Sequence, residues 1–230
     1  MDAPIDSEKE EKLKSLLGQL EVECGIFERI IYKNKNQHRR SSYFQNLLKV
    51  RRDLRLLKSV NLEELLTSCF LVITVMRPRQ KVQLLESLKR RKYDVGKPNF
   101  MERLLGAARL LSQIVEPMLR ATTQVSTLVA RSFFMGFSLT VLSLLARLRV
   151  LVQQILLDIV PVFNIVSSLS QMKHFVKLNH QGIEAFREFY PKKEDYVTLE
   201  CVWNTDKFIL VERTNTCEIE MQEGDNDGEF

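Results

Sequence analysis

Glycine and proline are scarce in this chain, 8 and 6 in 230 residues. A chain so poor in both is not collagenous, not low-complexity and not built from the many turns of a β-sandwich. Cysteine is scarce too. Cys24, Cys69, Cys201 and Cys217 are scattered with no C-x-x-C pair. That argues against a disulfide scaffold or a zinc knuckle and fits a reducing compartment. Of three histidines, His174 and His180 stand six apart on a predicted helix, hence on different faces, where a metal pair wants i, i+4 spacing. No glycine-rich phosphate loop, G-x-S-x-G or H-E-x-x-H string occurs. Acids are few in the helical region, and none pair for acid–base work. The expectation is a protein that is not an enzyme and takes no metal, cofactor or small-molecule ligand. The start, MDAPIDSEKEEKLK, lacks the basic stretch and apolar core of a secretory signal.

What is present is 45% hydrophobic residues, enough for a core, and a charge distribution in blocks. Residues 1–27 carry a net −4, residues 28–110 a net +13, residues 111–190 a net +3 and residues 191–230 a net −7. The modest total of +5 therefore hides a basic first half and an acidic end. Such asymmetry suggests a polyanion-binding surface with an acidic tail.

Hydrophobic spacing is helical over most of the chain. Leu13, Leu16, Leu17 and Leu20 start a stripe over 8–30 that Val22, Ile26, Phe27 and Ile30 continue. Polar residues 32–40 suggest a bend. A second helix over 41–58 carries a heptad-like seam of Tyr43, Leu47, Val50, Leu54 and Leu57. Asn61 and Glu64 resemble a capping box opening a buried helix over 62–75. Pro78 breaks it, and a further helix over 79–92 ends in Lys89-Arg90-Arg91-Lys92. From 100 to 160 the pattern is helical, with Pro117 as a kink or break and Pro161 as an end or bend, before a last helix over 165–189. Residues 132–146 are uncharged, but 15 residues fall short of the roughly 20 of a membrane span. They read as the central helix of a bundle. Residues 196–213 are rich in β-branched and aromatic residues around a turn-like Asn204-Thr205, a hairpin signal. The expected architecture is all-α: a disordered 1–7, a multi-helix bundle over 8–190 with a long central apolar helix, an extended or hairpin segment over 191–213, and a disordered acidic tail over 214–230.

The chemistry concentrates in 28–58. Ten bases from Arg29 to Lys58 face a single acid, Asp53. With the seam buried, Lys49, Arg51, Arg52, Arg55 and Lys58 fan across one flank and the back of the helix. Just before them stand Tyr32, Lys33, Asn34, Lys35, Asn36, Gln37, His38, Arg39 and Arg40. Cations that grip phosphate, amides that donate and accept, and a ring that stacks on bases are what RNA contact requires. A second reading of Asn36, Gln37 and His38 is a buried network pinning helices together.

The string YKNKNQHRRSSYFQNLLKVRRDLRLL (32–57) resembles the signature of the RNase MRP protein-subunit family, which includes the nucleolus and neural progenitor proteins. Its core is Asn34, Asn36, Gln37, His38 and Arg39, followed by Tyr43 and Phe44. The stretch FFMGFSLTVLSLLARLRVLV (133–152), closing on Leu145, Ala146 and Arg147, is similar to a second marker of that family. The resemblance covers about residues 10–190. It implies a non-catalytic, RNA-binding subunit of a nucleolar ribonucleoprotein that processes precursor ribosomal RNA. Its partners would be the RNase MRP RNA and its protein subunits, in the nucleus and nucleolus, away from membranes. The alternative is a nuclear protein-interaction adaptor with a regulatory role in differentiation and no RNA contact of its own, its basic face docked on an acidic surface.

Overall fold

The computed structural model describes residues 3–75, 100–175 and 195–216. The helix expected over 79–92, its Lys89–Lys92 run and the acidic tail beyond residue 216 lie outside the described residues. Six helices and one hairpin are described: α1 (Ala3–His38), α2 (Ser42–Ser59), α3 (Leu62–Val75), α4 (Phe100–Gln113), α5 (Val115–Ala130), α6 (Met135–Phe175), β1 (Asp195–Asn204) and β2 (Lys207–Thr216). The mostly helical bundle with a C-terminal hairpin matches the architecture expected from the hydrophobic spacing.

Helix α6 is the axis of the bundle, in contact with α1, α3, α4, α5 and β1. Its surroundings explain its composition. Val141, Leu145, Leu148, Val152, Ile155, Leu156, Ile159 and Val166 are all buried, and a helix covered on several sides is apolar on several sides. Met135–Ser168 is long and apolar enough to cross a membrane by length and composition, but the same composition is what a core helix needs. Pro161 neither ends nor divides it; the helix passes through to Phe175. Proline deletes one backbone hydrogen bond, and the packing on both sides holds the helix together across the gap.

The seam of α2 is buried as its spacing dictates: Tyr43, Leu47, Val50, Leu54 and Leu57, with Phe44 beside them. On α1 the stripe runs through Leu13, Leu16, Leu20, Phe27 and Ile31, whereas Val22 and Ile26 are exposed. The polar segment 32–40 is not a bend until its end. Helix α1 begins at Ala3 and continues to His38, and the chain turns only over 39–41. Asn61 takes φ 55° between α2 and α3. Its Nδ2 donates to Glu64 Oε2 at 3.0 Å, so the two side chains meet as the capping pattern suggests, through a different bond.

The break near Pro117 falls at Ile114, leaving Pro117 in the first turn of α5, where a missing N–H costs little. A second break, at 131–134, splits the run that reads as continuous helix. Ser132 and Phe134 take φ 58° and 48° there.

The hairpin turns at Thr205-Asp206, with Asn204 paired to Lys207. It is held to the bundle along both edges. Asn164 of α6 donates Nδ2 to the Leu199 carbonyl at 2.7 Å and accepts the Leu199 N–H on Oδ1 at 2.8 Å. The amide thus acts as a one-residue strand partner. On the other edge the Leu210 N–H bonds Ser112 Oγ at 3.2 Å, and Glu212 accepts two bonds of 2.6 Å from Arg109. Leu199 is buried beneath. A lone hairpin is marginal; these anchors make it part of the fold.

Candidate nucleic-acid interface

The end of α1, the start of α2 and the start of α6 meet at His38. The ring is buried, 2% exposed. Tyr43 Oη lies 2.5 Å from His38 Nδ1. Phe137 stacks on the imidazole at 4.6 Å, and Phe134 meets it edge-on at 4.7 Å. Burial pulls the His38 pKa below its usual 6.5, so the ring is neutral at neutral pH. His38 is therefore a pin between helices and is out of reach of RNA. Of the three residues whose second reading is such a network, it alone follows that reading, since Asn36 and Gln37 are exposed. Asn34 is half-buried and spends its Nδ2 on the Ile30 carbonyl at 2.8 Å.

The cations divide into two groups. On α2, Arg55 Nε donates to Glu28 Oε1 at 2.6 Å, and Arg51 Nε stands 3.9 Å from the same oxygen. Lys58 bonds Glu21 at 2.7 Å, and Arg52 bonds Asp53 at 3.0 Å. The Arg55 hydrogen bond holds the Glu28 carboxyl below the usual carboxylate range, and Lys58 does the same for Glu21. The row expected to stand free is thus largely occupied by acids of α1 and of its own helix. Coulomb repulsion along α2 is relieved within the fold.

The second group is unpaired. Lys33, Lys35, Arg39, Arg40 and Lys49 are exposed and make no ion pair among the described residues. Tyr32 beside them is 78% exposed. The turn between α5 and α6 adds what periodicity did not reveal: Arg131, Phe133, Phe134 and Met135 are exposed at the same corner, tied to it by the Phe134–His38 contact. Within a run of apolar letters these residues look like core; only the backbone break turns them outward. Phe134 keeps a left-handed φ, which is unfavourable for a bulky side chain. The break is held by bonds from the Ser132 N–H to Val129 O and the Phe133 N–H to Leu128 O, both 2.9 Å. The first turns of α2 and α6, which open beside this corner, contain no acid. Helix N-termini without acids favour phosphate nearby.

Chemically the corner can bind an anion and stack rings. Burial pushes the Cys69 thiol up to about 12 and Cys24 up to about 11, so neither offers a thiolate at neutral pH. Among the described residues no group of three His, Cys, Asp or Glu could hold a metal ion.

No curated protein matches this chain, and no solved structure does. One family model does, described as nucleolus and neural progenitor protein, N-terminal, over residues 5–167. That span runs from α1 nearly to the end of α6 and contains the whole cationic corner. With more than half of its length matched, the chain belongs to the nucleolus and neural progenitor protein family.

Proposed function

We propose that this protein is a non-catalytic RNA-binding subunit of a nucleolar ribonucleoprotein ribonuclease of the RNase MRP type, acting on precursor ribosomal RNA. The observation that carries the reading is the unpaired cation cluster. Lys33, Lys35, Arg39, Arg40 and Lys49 keep their charge free in a fold that neutralises Arg55 and Lys58. Exposed Tyr32, Phe133 and Phe134 supply stacking surfaces next to them. Phosphate contacts would give affinity, and rings would hold unstacked bases. The nucleolar family supports the compartment. The RNA subunit would perform the cleavage, and this chain would position it.

The test is crosslinking and recovery of RNA from cells. Reversing Lys33, Lys35, Arg39 and Arg40 to Glu is expected to abolish recovery of RNase MRP RNA while the melting curve stays that of wild type. Unchanged recovery from the folded variant would refute RNA contact at this corner. Protein partners that persist after nuclease digestion, with no RNA crosslink to the chain, would instead favour the adaptor role.

A further inference from the structure

A cleft of about 420 Å³ opens between α2, α4, α5 and β2. No part of the cation corner described above explains it except Lys49, which lies on its wall. Three cations line it: Lys49, Arg120 and Lys207. One acid, Glu116, sits among them, bonded to Arg120 at 3.0 Å and to Lys207 at 2.5 Å. The lining therefore keeps a surplus of positive charge, with Lys49 unpaired. Two amides, Asn46 and Gln113, offer donors and acceptors, while Pro117 and Ile209 supply an apolar floor. Asn46 commits Nδ2 to Gln124 Oε1 at 2.8 Å, which fixes its orientation.

Helix α2 links the cleft to the corner, since it opens at the 39–41 turn and carries Asn46 and Lys49 on the cleft wall. Gln45, next to Asn46, donates Nε2 to the Arg39 carbonyl at 2.7 Å. Asn46 and Lys49 stand at i, i+3 on one face of α2. Asn46 and Lys49 lie four and seven residues beyond the start of α2 at Ser42, so a strand whose phosphates lie on Arg39 and Arg40 would run roughly 6–11 Å along α2 to reach the cleft.

We infer that this cleft is a nucleotide subsite of the RNA path, taking one unstacked nucleotide with its phosphate at Lys49 and its base over Pro117 and Ile209, edge toward Asn46 and Gln113. The inference rests on the RNA-binding reading above. The site is larger than a carboxylate needs, and pairs of amides with a flat apolar floor suit a base better than an acidic side chain. Glu116 has a definite part: it holds Arg120 and Lys207 in place while lowering their pull on the phosphate.

The experiment measures binding of the full chain to a single-stranded RNA of about 12 nucleotides, and in a parallel arm to a polyglutamate peptide. Variants are Lys49→Glu, Gln113→Ala and Glu116→Gln, with Glu11→Gln at the far end of α1 as a charge-matched control. Expected results are a roughly tenfold loss for Lys49→Glu, a smaller loss for Gln113→Ala, and tighter binding for Glu116→Gln than for Glu11→Gln. If RNA binds but Lys49→Glu and Gln113→Ala match wild type, while Arg39→Glu with Arg40→Glu fails, the subsite is wrong and the RNA-binding function stands. If the wild-type chain binds no RNA, both are wrong. If Lys49→Glu weakens only the polyglutamate arm, the cleft belongs to an acidic protein partner. Should Glu116→Gln loosen the hairpin, the two other variants decide alone.

Discussion

His38 Nδ1 and the Tyr43 hydroxyl, five residues apart in sequence and on successive helices, lie 2.5 Å from each other. This contact closes the turn at 39–41 and sets where Arg39 and Arg40 point. Removing the hydroxyl with Tyr43→Phe leaves a buried ring nitrogen without its partner. A loss of about 1–2 kcal/mol in denaturant unfolding is expected, together with weaker RNA recovery although no cation has changed. Full stability in the variant would show that aromatic packing alone holds the corner.

Acid should loosen the same place. His38 titrates below 6.5 in the folded chain because burial disfavours its charged form. Above pH 6.5 both folded and unfolded chains carry it neutral, and its packing is fully available. As pH falls below 6.5 the unfolded chain takes up the proton first, so stability drops through the window down to the folded pKa. Melting temperature measured from pH 7.5 to 5.5 is expected to fall in wild type and to fall less in His38→Phe.

Asn164 bonds both the N–H and the carbonyl of Leu199. Replacing it with leucine keeps the bulk and removes both bonds. The expected cost is about 2 kcal/mol, concentrated on the hairpin. Faster hydrogen exchange at the Leu199 amide, with the amides of Leu47 and Val50 unchanged, would be the signature. Uniform acceleration would mean that the hairpin and bundle unfold as one unit.

Pro161 lies in the interior of α6 and is exposed. A proline there removes the bond to the Leu157 carbonyl and crowds the preceding turn. Pro161→Ala should raise stability by about 1–3 kcal/mol. No gain in a thermal melt would mean that the surrounding packing has already absorbed the defect.

Glu28 accepts a hydrogen bond from Arg55 and stands 3.9 Å from Arg51 Nε. The groups are partly exposed, so Glu28→Gln should shift the melting temperature very little. It frees the Arg55 guanidinium, and the salt dependence of RNA binding should steepen by roughly one phosphate contact. An unchanged slope would assign Arg51 and Arg55 to holding α2 against α1.

Much of this fold is legible in local spacing. The buried seam Tyr43, Leu47, Val50, Leu54 and Leu57, the helix over 62–75, the apolar α6 and a hairpin after residue 195 all follow from apolar residues recurring at periods of 3.6 or 2. The wealth of cations between Arg29 and Lys58 is equally a property of the letters. Their availability is not. Arg55 meets Glu28 only because α1 and α2 pack side by side at one axial offset, 27 residues apart in sequence. His38 is buried only because Phe134 arrives from the 131–134 break and Phe137 from α6. Phe133 faces outward only because the chain breaks at 131–134 inside an apolar run. A periodic pattern reports which face of a helix avoids water, since that is settled by the residue's own neighbours. Which charge meets which acid depends on how helices are rotated and shifted against each other. That is decided by the packing of the whole core, and only the tertiary structure holds it.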